Sequence, residues 1–167
     1  PARAAQEVPG GEHPRLCEGA KAKGDPPGLV FGDEVIRSAK YILIEFCCSA
    51  NSTFGITAPA NALVVRVTEA HDATSTPVRE ALHNLITQAA ALGTPVSLWS
   101  AIPCTGGSSL QNINVARFGV TEKLRGHWRD FHRLWSAFAP LALATHKAGG
   151  LVAIEWPTRC TYWQDCR

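Results

Sequence analysis

A cysteine stands where an apolar run meets a loop of small residues. Cys104 lies in Ile-Pro-Cys-Thr-Gly-Gly-Ser, residues 102–108, at the end of the apolar run 95–102. That run predicts a buried strand, and open α/β folds bind ligands at the carboxyl ends of their strands. A second run, 151–154, leads to Glu155 at what is expected to be the same edge. A thiol and a carboxyl group placed in this way could share one pocket.

Four apolar runs predict the strands of one sheet, at 41–46, 63–68, 95–102 and 151–154. Asp33 is expected to cap a short helix through residue 39, and only a short crossover fits between the first two strands. Thr76 and Pro77 predict the cap and first turn of a helix that Gly93 ends. Residues 121–147 predict a long helix that Pro140 kinks or breaks. This order predicts a doubly wound α/β domain with a mostly parallel sheet.

The domain limits follow from local composition. Residues 1–32 are rich in Pro, Gly, Ala and charge, which predicts a flexible tail or linker. Residues 33–167 predict one Rossmann-like domain. Since the 167 residues contain no methionine, we expect a piece of a longer polypeptide with other domains as partners.

Charge and cysteine content narrow the classes of partner. The net charge of +2 permits a nucleic-acid partner without requiring one. No apolar run approaches the roughly 20 residues of a membrane span, so no membrane partner is expected. The six cysteines form no Cys-x-x-Cys pair. We therefore expect no structural metal site. We also expect a reducing, intracellular setting, in the nucleus or the cytoplasm.

Four segments together resemble the catalytic half of the DNA cytosine-5 methyltransferases, which are Rossmann-like enzymes. Glu45 and Phe46, followed by the small-residue turn 47–52, stand where the family has an acidic residue, Phe-Ala-Gly and a glycine-rich turn. Glu69 ends the second strand, as the family's ribose-binding acid does. Pro103, Cys104 and Ser108 reproduce the nucleophile motif Pro-Cys-x-x-x-Ser. Glu155 matches the glutamate of the family's Glu-Asn-Val signature.

The resemblance implies a cofactor, S-adenosylmethionine, and a nucleic-acid substrate. Cys104 would add to carbon 6 of a cytosine, and Glu155, kept protonated by a dry pocket, would donate to nitrogen 3. A base in a duplex would have to be flipped out. The residues implied for the cofactor are Phe46, Cys47, Ser49, Asn51, Ser52, Glu69, Asp72 and Pro103. Those implied for the substrate are Ser108 and Asn112.

The chain also departs from the family pattern. The turn 47–52 lacks glycine, Thr105 stands where the family usually has Gln, and Trp156-Pro157 replaces Asn-Val. The chain stops before the family's arginine motif, target-recognition region and closing helix, so duplex recognition is expected to come from elsewhere. The segments IPCTGGS and IEWP also resemble parts of retroelement polyproteins.

Two other functions stay open. One is a catalytically inactive module of this fold that binds a protein or nucleic acid. The other is a cysteine hydrolase or transferase that pairs Cys104 with a histidine, for which His71, His83, His127, His132 and His146 are available.

Each of these candidate residues could instead have a purely structural role. Cys104, Cys47 and Cys48 could be core filling, and Glu155 could cap a turn or pair with Arg159. Glu69 and Asp72 could cap the helix near Thr76. On the helix 121–147, an aromatic stripe predicts core packing and the basic residues predict a solvated face or phosphate contacts. The stripe is Trp128, Phe131, Trp135 and Phe138; the basic residues are Lys123, Arg125, Arg129, His132 and Arg133. Asn112 and Asn114 could order the loop or reach a substrate.

Overall fold

The computed structural model describes residues 29–166, which form a four-stranded, all-parallel sheet of order β2-β1-β3-β4. The strands are β1 (Tyr41–Phe46), β2 (Ala62–Val67), β3 (Val96–Ser100) and β4 (Leu151–Ile154). The helices are α1 (Asp33–Ser38), α2 (Thr53–Ile56), α3 (Thr76–Leu92), α4 (Leu110–Phe118), α5 (Glu122–Lys147) and α6 (Tyr162–Asp165). The predicted α/β class with a parallel, Rossmann-like sheet is confirmed.

Most of the predicted tail, residues 1–28, lies outside the described residues. Within the described part, Leu29 is buried in the core and Phe31 packs against it. The chain therefore already contributes to the core before residue 33, where the domain was expected to begin.

Helices α3 and α5 cover one face of the sheet. Ile42, Ile44 and Phe46 alternate along β1 toward this face and are fully buried. Leu43 and Glu45 alternate toward the opposite face and are buried as well. Burial on both faces is expected of a central parallel strand and explains why β1 reads as an unbroken apolar run.

The short helix α2 lies on the opposite face, where Phe54 packs against Trp99 of β3 with ring centroids 5.0 Å apart. The connections β1–β2 and β2–β3 run in opposite directions across the sheet. Because crossovers between parallel strands are right-handed, they must leave from opposite faces. The sheet is consequently doubly wound, and its switch point lies between β1 and β3.

The helix ends correct two predicted caps. Gly32, not Asp33, is the N-cap of α1, and Ser75, not Thr76, is the N-cap of α3. Gly93 ends α3 in the left-handed conformation, with φ of 73°, as predicted. Thr121 caps α5 by accepting a hydrogen bond from the Leu124 backbone N–H at 3.2 Å.

Pro140 does not break α5, which continues to Lys147. The proline is exposed, whereas Phe138 and Leu141 on either side are buried in the core. A proline inside a helix destabilises it by about 3 kcal/mol, whereas each buried large apolar side chain stabilises the fold by about 1.5–3 kcal/mol. Packing therefore keeps the helix continuous, and the expected break is wrong.

Helix α4 falls in a stretch that was expected to be loop. None of its residues is buried, and its apolar side chains Leu110, Ile113 and Phe118 are more than half exposed. Because the segment buries no face, it lacks the periodic pattern of core residues from which a helix is predicted.

Candidate functional site

A cleft of about 780 Å³ opens at the carboxyl ends of β1 and β2, beside the switch point of the sheet. We call it the switch-point cleft. Four stretches of chain line it, namely residues 47–50, residues 67–74, Pro103 and residues 133–134 of α5. Ligands of open α/β sheets bind at such a crevice.

Five of the eight residues predicted for the cofactor line this cleft. They are Cys47, Ser49, Glu69, Asp72 and Pro103. The structure places the other three elsewhere. Phe46 is fully buried and packs on Phe138 with ring centroids 5.5 Å apart. Asn51 is exposed, its backbone N–H donating to Ser49 Oγ at 3.2 Å, and the Ser52 hydroxyl donates to Glu45 Oε1.

Cys47 gives the turn after β1 its direction. Its φ of 62° is the only positive value at a non-glycine residue within the described part of the chain. Cys47 packs against the core and also lines the switch-point cleft with Cys48. Burial raises the pKa of Cys47 to about 12 and that of Cys48 to about 11. Both thiols are therefore neutral near pH 7.

Acidic and basic groups share the wall of the switch-point cleft. The Thr74 hydroxyl, followed by its backbone N–H, lowers the pKa of Asp72 through hydrogen bonds of 2.7 and 3.0 Å. The carboxylate thus orders the turn before α3 and borders the cleft, but it does not cap the helix as the structural alternative expected, since it accepts from Thr74 and the N-cap is Ser75. Glu69 is exposed on the same wall, and Arg133 of α5 also lines the cleft.

Beneath the turn, a buried ion pair supports the cleft from the opposite face of the sheet. Glu45 is 1% exposed, and its Oε2 lies 3.4 Å from Nε of Arg66 on the neighbouring strand. Gly55 of α2 covers the pair so closely that a Cβ there would lie 2.6 Å from Arg66 Nε. The pair, with the Ser52 hydrogen bond, connects the turn 47–52 to two strands.

Cys104 and Glu155 lie at the same edge of the sheet, as predicted. The Glu155 backbone N–H donates to the Ser100 carbonyl at 2.9 Å, and Cys104 follows β3 by four residues. Their side chains nevertheless differ in surroundings. Cys104 is half-buried against the core, whereas Glu155 is exposed. Neither lines the switch-point cleft, and Glu155 is exposed rather than enclosed by the dry pocket that was expected around it.

The two residues predicted for the substrate, Ser108 and Asn112, line a second cleft of about 550 Å³ between α4 and α5. We call it the α4–α5 cleft. The basic residues Arg125, Arg129 and His132 of α5 also line it, together with Trp128. These basic residues therefore border a cleft, in addition to the solvated face that the sequence predicted.

The loop 103–108 separates the two clefts, since Pro103 lines the first and Gly106 and Ser108 line the second. Its glycines allow close packing. A Cβ on Gly106 would lie 2.9 Å from the His127 Cβ, and one on Gly107 would lie 2.7 Å from the Cys160 sulfur. The residues that follow Cys104 are thus packed tightly against α5 and Cys160.

Two of the histidines considered as partners of Cys104 bond to other groups. The Thr68 backbone N–H donates to Nδ1 of His71 at 3.3 Å, and Nδ1 of His132 lies 3.4 Å from Asp165. Within residues 29–166, no hydrogen bond joins a histidine to Cys104, so no observation favours the hydrolase reading.

Sequence reasoning missed the place of Arg133 in the switch-point cleft. Its spacing from Arg125 and Arg129 places the three on one side of a helix, because residues four apart are neighbours there, but it does not show which cleft each one lines. No helix of the described part combines the length and apolar character needed to cross a membrane. Nor do its His, Cys, Asp and Glu side chains form a group of three or more suited to a metal ion.

Comparison of the chain with protein-family models, curated proteins and solved structures gives no match.

Proposed function

We propose that the chain is an S-adenosylmethionine-dependent, cytosine-5-methyltransferase-like domain that acts on nucleic acid, with the switch-point cleft as its cofactor site. The supporting observation is that five residues chosen from sequence, which come from three separate segments, line one cleft. Its volume of about 780 Å³ lies within the range of about 300–1,000 Å³ that is typical of small-molecule sites.

The groups in the switch-point cleft suit the parts of this cofactor. The carboxylate of Glu69 can accept hydrogen bonds from two ribose hydroxyls. The guanidinium of Arg133 can pair with the carboxylate of the methionine portion. Cys47 and Cys48, as neutral thiols, add soft, weakly polar surface. The bound cofactor would supply the methyl group.

Cys104 would act on a cytosine presented at the loop 103–108. Its thiolate would form a bond to carbon 6, which makes carbon 5 nucleophilic while Glu155 protonates nitrogen 3. After carbon 5 has taken the methyl group, loss of its proton to a base breaks the bond to sulfur and restores the ring. Because Glu155 is exposed, this role requires the substrate itself to cover the edge and exclude water.

A catalytically inactive module of the same fold is the second candidate. It is favoured by the exposure of Glu155 and by the absence of both the Cys104 and Glu155 side chains from the walls of the two clefts. Such a module would bind nucleic acid without the cofactor.

Calorimetry with S-adenosylmethionine and its demethylated product tests the cofactor site. We expect saturable binding, and about tenfold weaker binding in both Glu69→Ala and Arg133→Gln, since each change removes a charged hydrogen-bonding group. Glu34→Ala, an exposed change on α1, is the control and keeps the affinity of the unaltered chain. No heat at millimolar cofactor would overturn the proposal.

Covalent trapping tests the nucleophile. An oligonucleotide with 5-fluorocytosine cannot release the enzyme after methyl transfer, because carbon 5 then carries no proton. With cofactor present, we expect an adduct whose mass maps to Cys104, and its loss in Cys104→Ser but not in Cys166→Ser. An adduct that persists in Cys104→Ser would remove Cys104 from the mechanism.

A further inference from the structure

We propose that the α4–α5 cleft binds an unpaired nucleotide of single-stranded nucleic acid, at a site distinct from the switch-point cleft. The proposal deepens the proposed function, since it rests on a nucleic-acid substrate and identifies where a strand is held. The reacting base would lie elsewhere, because the Cys104 side chain does not line this cleft.

The segment that contains α4 and α5 is more basic than the chain as a whole. Between Thr105 and Lys147 the chain carries six Lys and Arg residues and only two acidic residues, although its whole net charge is +2. Arg125 and Arg129 line the cleft, and their side chains are 58% and 67% exposed, so that both can reach a ligand. A polyanion is the partner that complements this charge.

The arginines also form a track. Arg125, Arg129 and Arg133 recur every fourth residue and thus lie along one side of α5. At 1.5 Å per residue, the three span about 12 Å of the helix axis. The first two line the α4–α5 cleft and the third lines the switch-point cleft. A backbone that follows the track would lead from one cleft to the other.

The remaining walls of the cleft suit a base. Trp128 is half-buried in the lining and offers an indole on which a base can stack. The Asn112 side chain is exposed and makes no hydrogen bond to the described residues, whereas Gln111 donates to the Thr105 carbonyl at 3.1 Å. A free amide offers donors and an acceptor to a base edge. Such edges are accessible only where bases are unpaired.

Glu122 sets the arginines in place and competes for them. Its carboxylate lies 2.9 Å from Nη1 of Arg129 and 3.4 Å from Nη1 of Arg125. All three side chains are exposed, so the ion pairs are weak and a phosphate can replace the carboxylate. This arrangement predicts that removing the acid increases the affinity for nucleic acid.

The test is fluorescence anisotropy of a labelled 12-nucleotide single strand, without cofactor, over a range of salt concentrations. We expect Arg129→Gln to weaken binding at low salt several-fold and to reduce the slope of log Kd against log salt by about 0.7. Lys123→Gln removes the same charge from the same helix outside the cleft, and should change Kd less than twofold. Equal weakening by both variants would overturn the proposal.

Two further variants separate a built site from general attraction. Glu122→Gln should bind the strand several-fold more tightly, and weaker binding would contradict the proposed competition. Asn112→Ala should reduce the differences in affinity among oligo-dA, oligo-dC and oligo-dT, while Asn114→Ala, which loses only its bond to Gln111, should keep them. Unchanged differences in Asn112→Ala, or equal affinity for the same strand in a duplex or for a glutamate-rich peptide, would refute base recognition.

The outcomes distinguish this proposal from the proposed function. If S-adenosylmethionine does not bind but Arg129→Gln and Asn112→Ala behave as expected, the strand site stands and the domain is a binding module. If cofactor binding and trapping succeed while Arg129→Gln and Lys123→Gln act alike, the strand site is refuted alone.

Discussion

Glu45 accepts the hydroxyl hydrogen bond of Ser52, and this bond joins the end of β1 to the turn that borders the switch-point cleft. Glu45 is the acidic residue that opens the segment resembling the cofactor motif of the methyltransferase family. Its carboxylate is buried on the face of the sheet opposite α3 and α5, paired with Arg66. Its role in the structure is to position the turn rather than to contact a ligand.

Glu45→Gln should destabilise the fold. The amide keeps the shape of the side chain but leaves the partly buried Arg66 without its counter-charge. Losing one partner of a fully buried pair costs about 3–5 kcal/mol, and we expect about 2 kcal/mol here because Arg66 is 31% exposed. Urea unfolding measures the change, and Glu34→Gln on α1 should stay within about 0.5 kcal/mol of the unaltered chain. A similar result for both variants would show that the pair contributes little.

Gly55→Ala should destabilise the fold through steric overlap. A Cβ at this position overlaps the Glu45 carboxylate and lies 2.6 Å from Arg66 Nε, so α2 must shift away from the sheet. Overpacking of this kind costs about 1–3 kcal/mol. Gly126→Ala on α5, where an added Cβ makes no close contact, is the matched control and should stabilise the helix by up to about 1 kcal/mol. Opposite signs in thermal unfolding would support the prediction, and two stabilising changes would contradict it.

Cys47→Gly should be more stable than Cys47→Ala, although glycine is the smaller residue. Both variants lose the thiol, but only alanine keeps a Cβ at a φ of 62°. A left-handed conformation costs an L-residue about 1–2 kcal/mol, so we expect the glycine variant to unfold at higher urea concentration. If the turn is the cofactor site, the glycine variant should also bind S-adenosylmethionine more tightly, because its backbone can approach the ligand more closely. An alanine variant as stable as the glycine variant would contradict the conformational argument.

Stability should fall above about pH 9. Burial, followed by the influence of Cys48, raises the pKa of Cys47 to about 12, and burial raises that of Cys48 to about 11, from a value of 9.0. Above pH 9 the unfolded chain releases protons that the folded chain retains, so the free energy of unfolding decreases with pH. The slope is at most about 1.4 kcal/mol per pH unit for each thiol.

The same titration can be assigned with variants. Between pH 9 and 11, urea unfolding of the double variant Cys47→Ala, Cys48→Ala should lose less stability than the unaltered chain. Some loss should remain, since burial also raises the pKa of Cys166 to about 11, that of Cys160 above its usual value, and that of Tyr162 to about 12. Identical pH profiles for the double variant and the unaltered chain would show that the thiols do not titrate as described.

Much of the fold follows from apolar runs. The strands 41–46 and 151–154 were predicted with the bounds that the structure has, and the other two within one or two residues. Parallel strands covered on both faces need an unbroken apolar sequence, and such strands can therefore be predicted from the sequence. The continuation of α5 through Pro140 could not be predicted, because it depends on the burial of Phe138 and Leu141 against other elements.

The amino-acid sequence was sufficient to predict the fold class and three of the four chain segments that line the switch-point cleft. Strands of one parallel sheet all end at one edge, so the residues after β1, β2 and β3 had to meet there. Tertiary structure alone decided that α4 forms a cleft with α5, that Arg133 reaches the switch-point cleft, and that Glu155 is exposed. Side-chain direction beyond a strand end depends on loop conformation and on packing between elements distant in sequence, which local patterns do not encode.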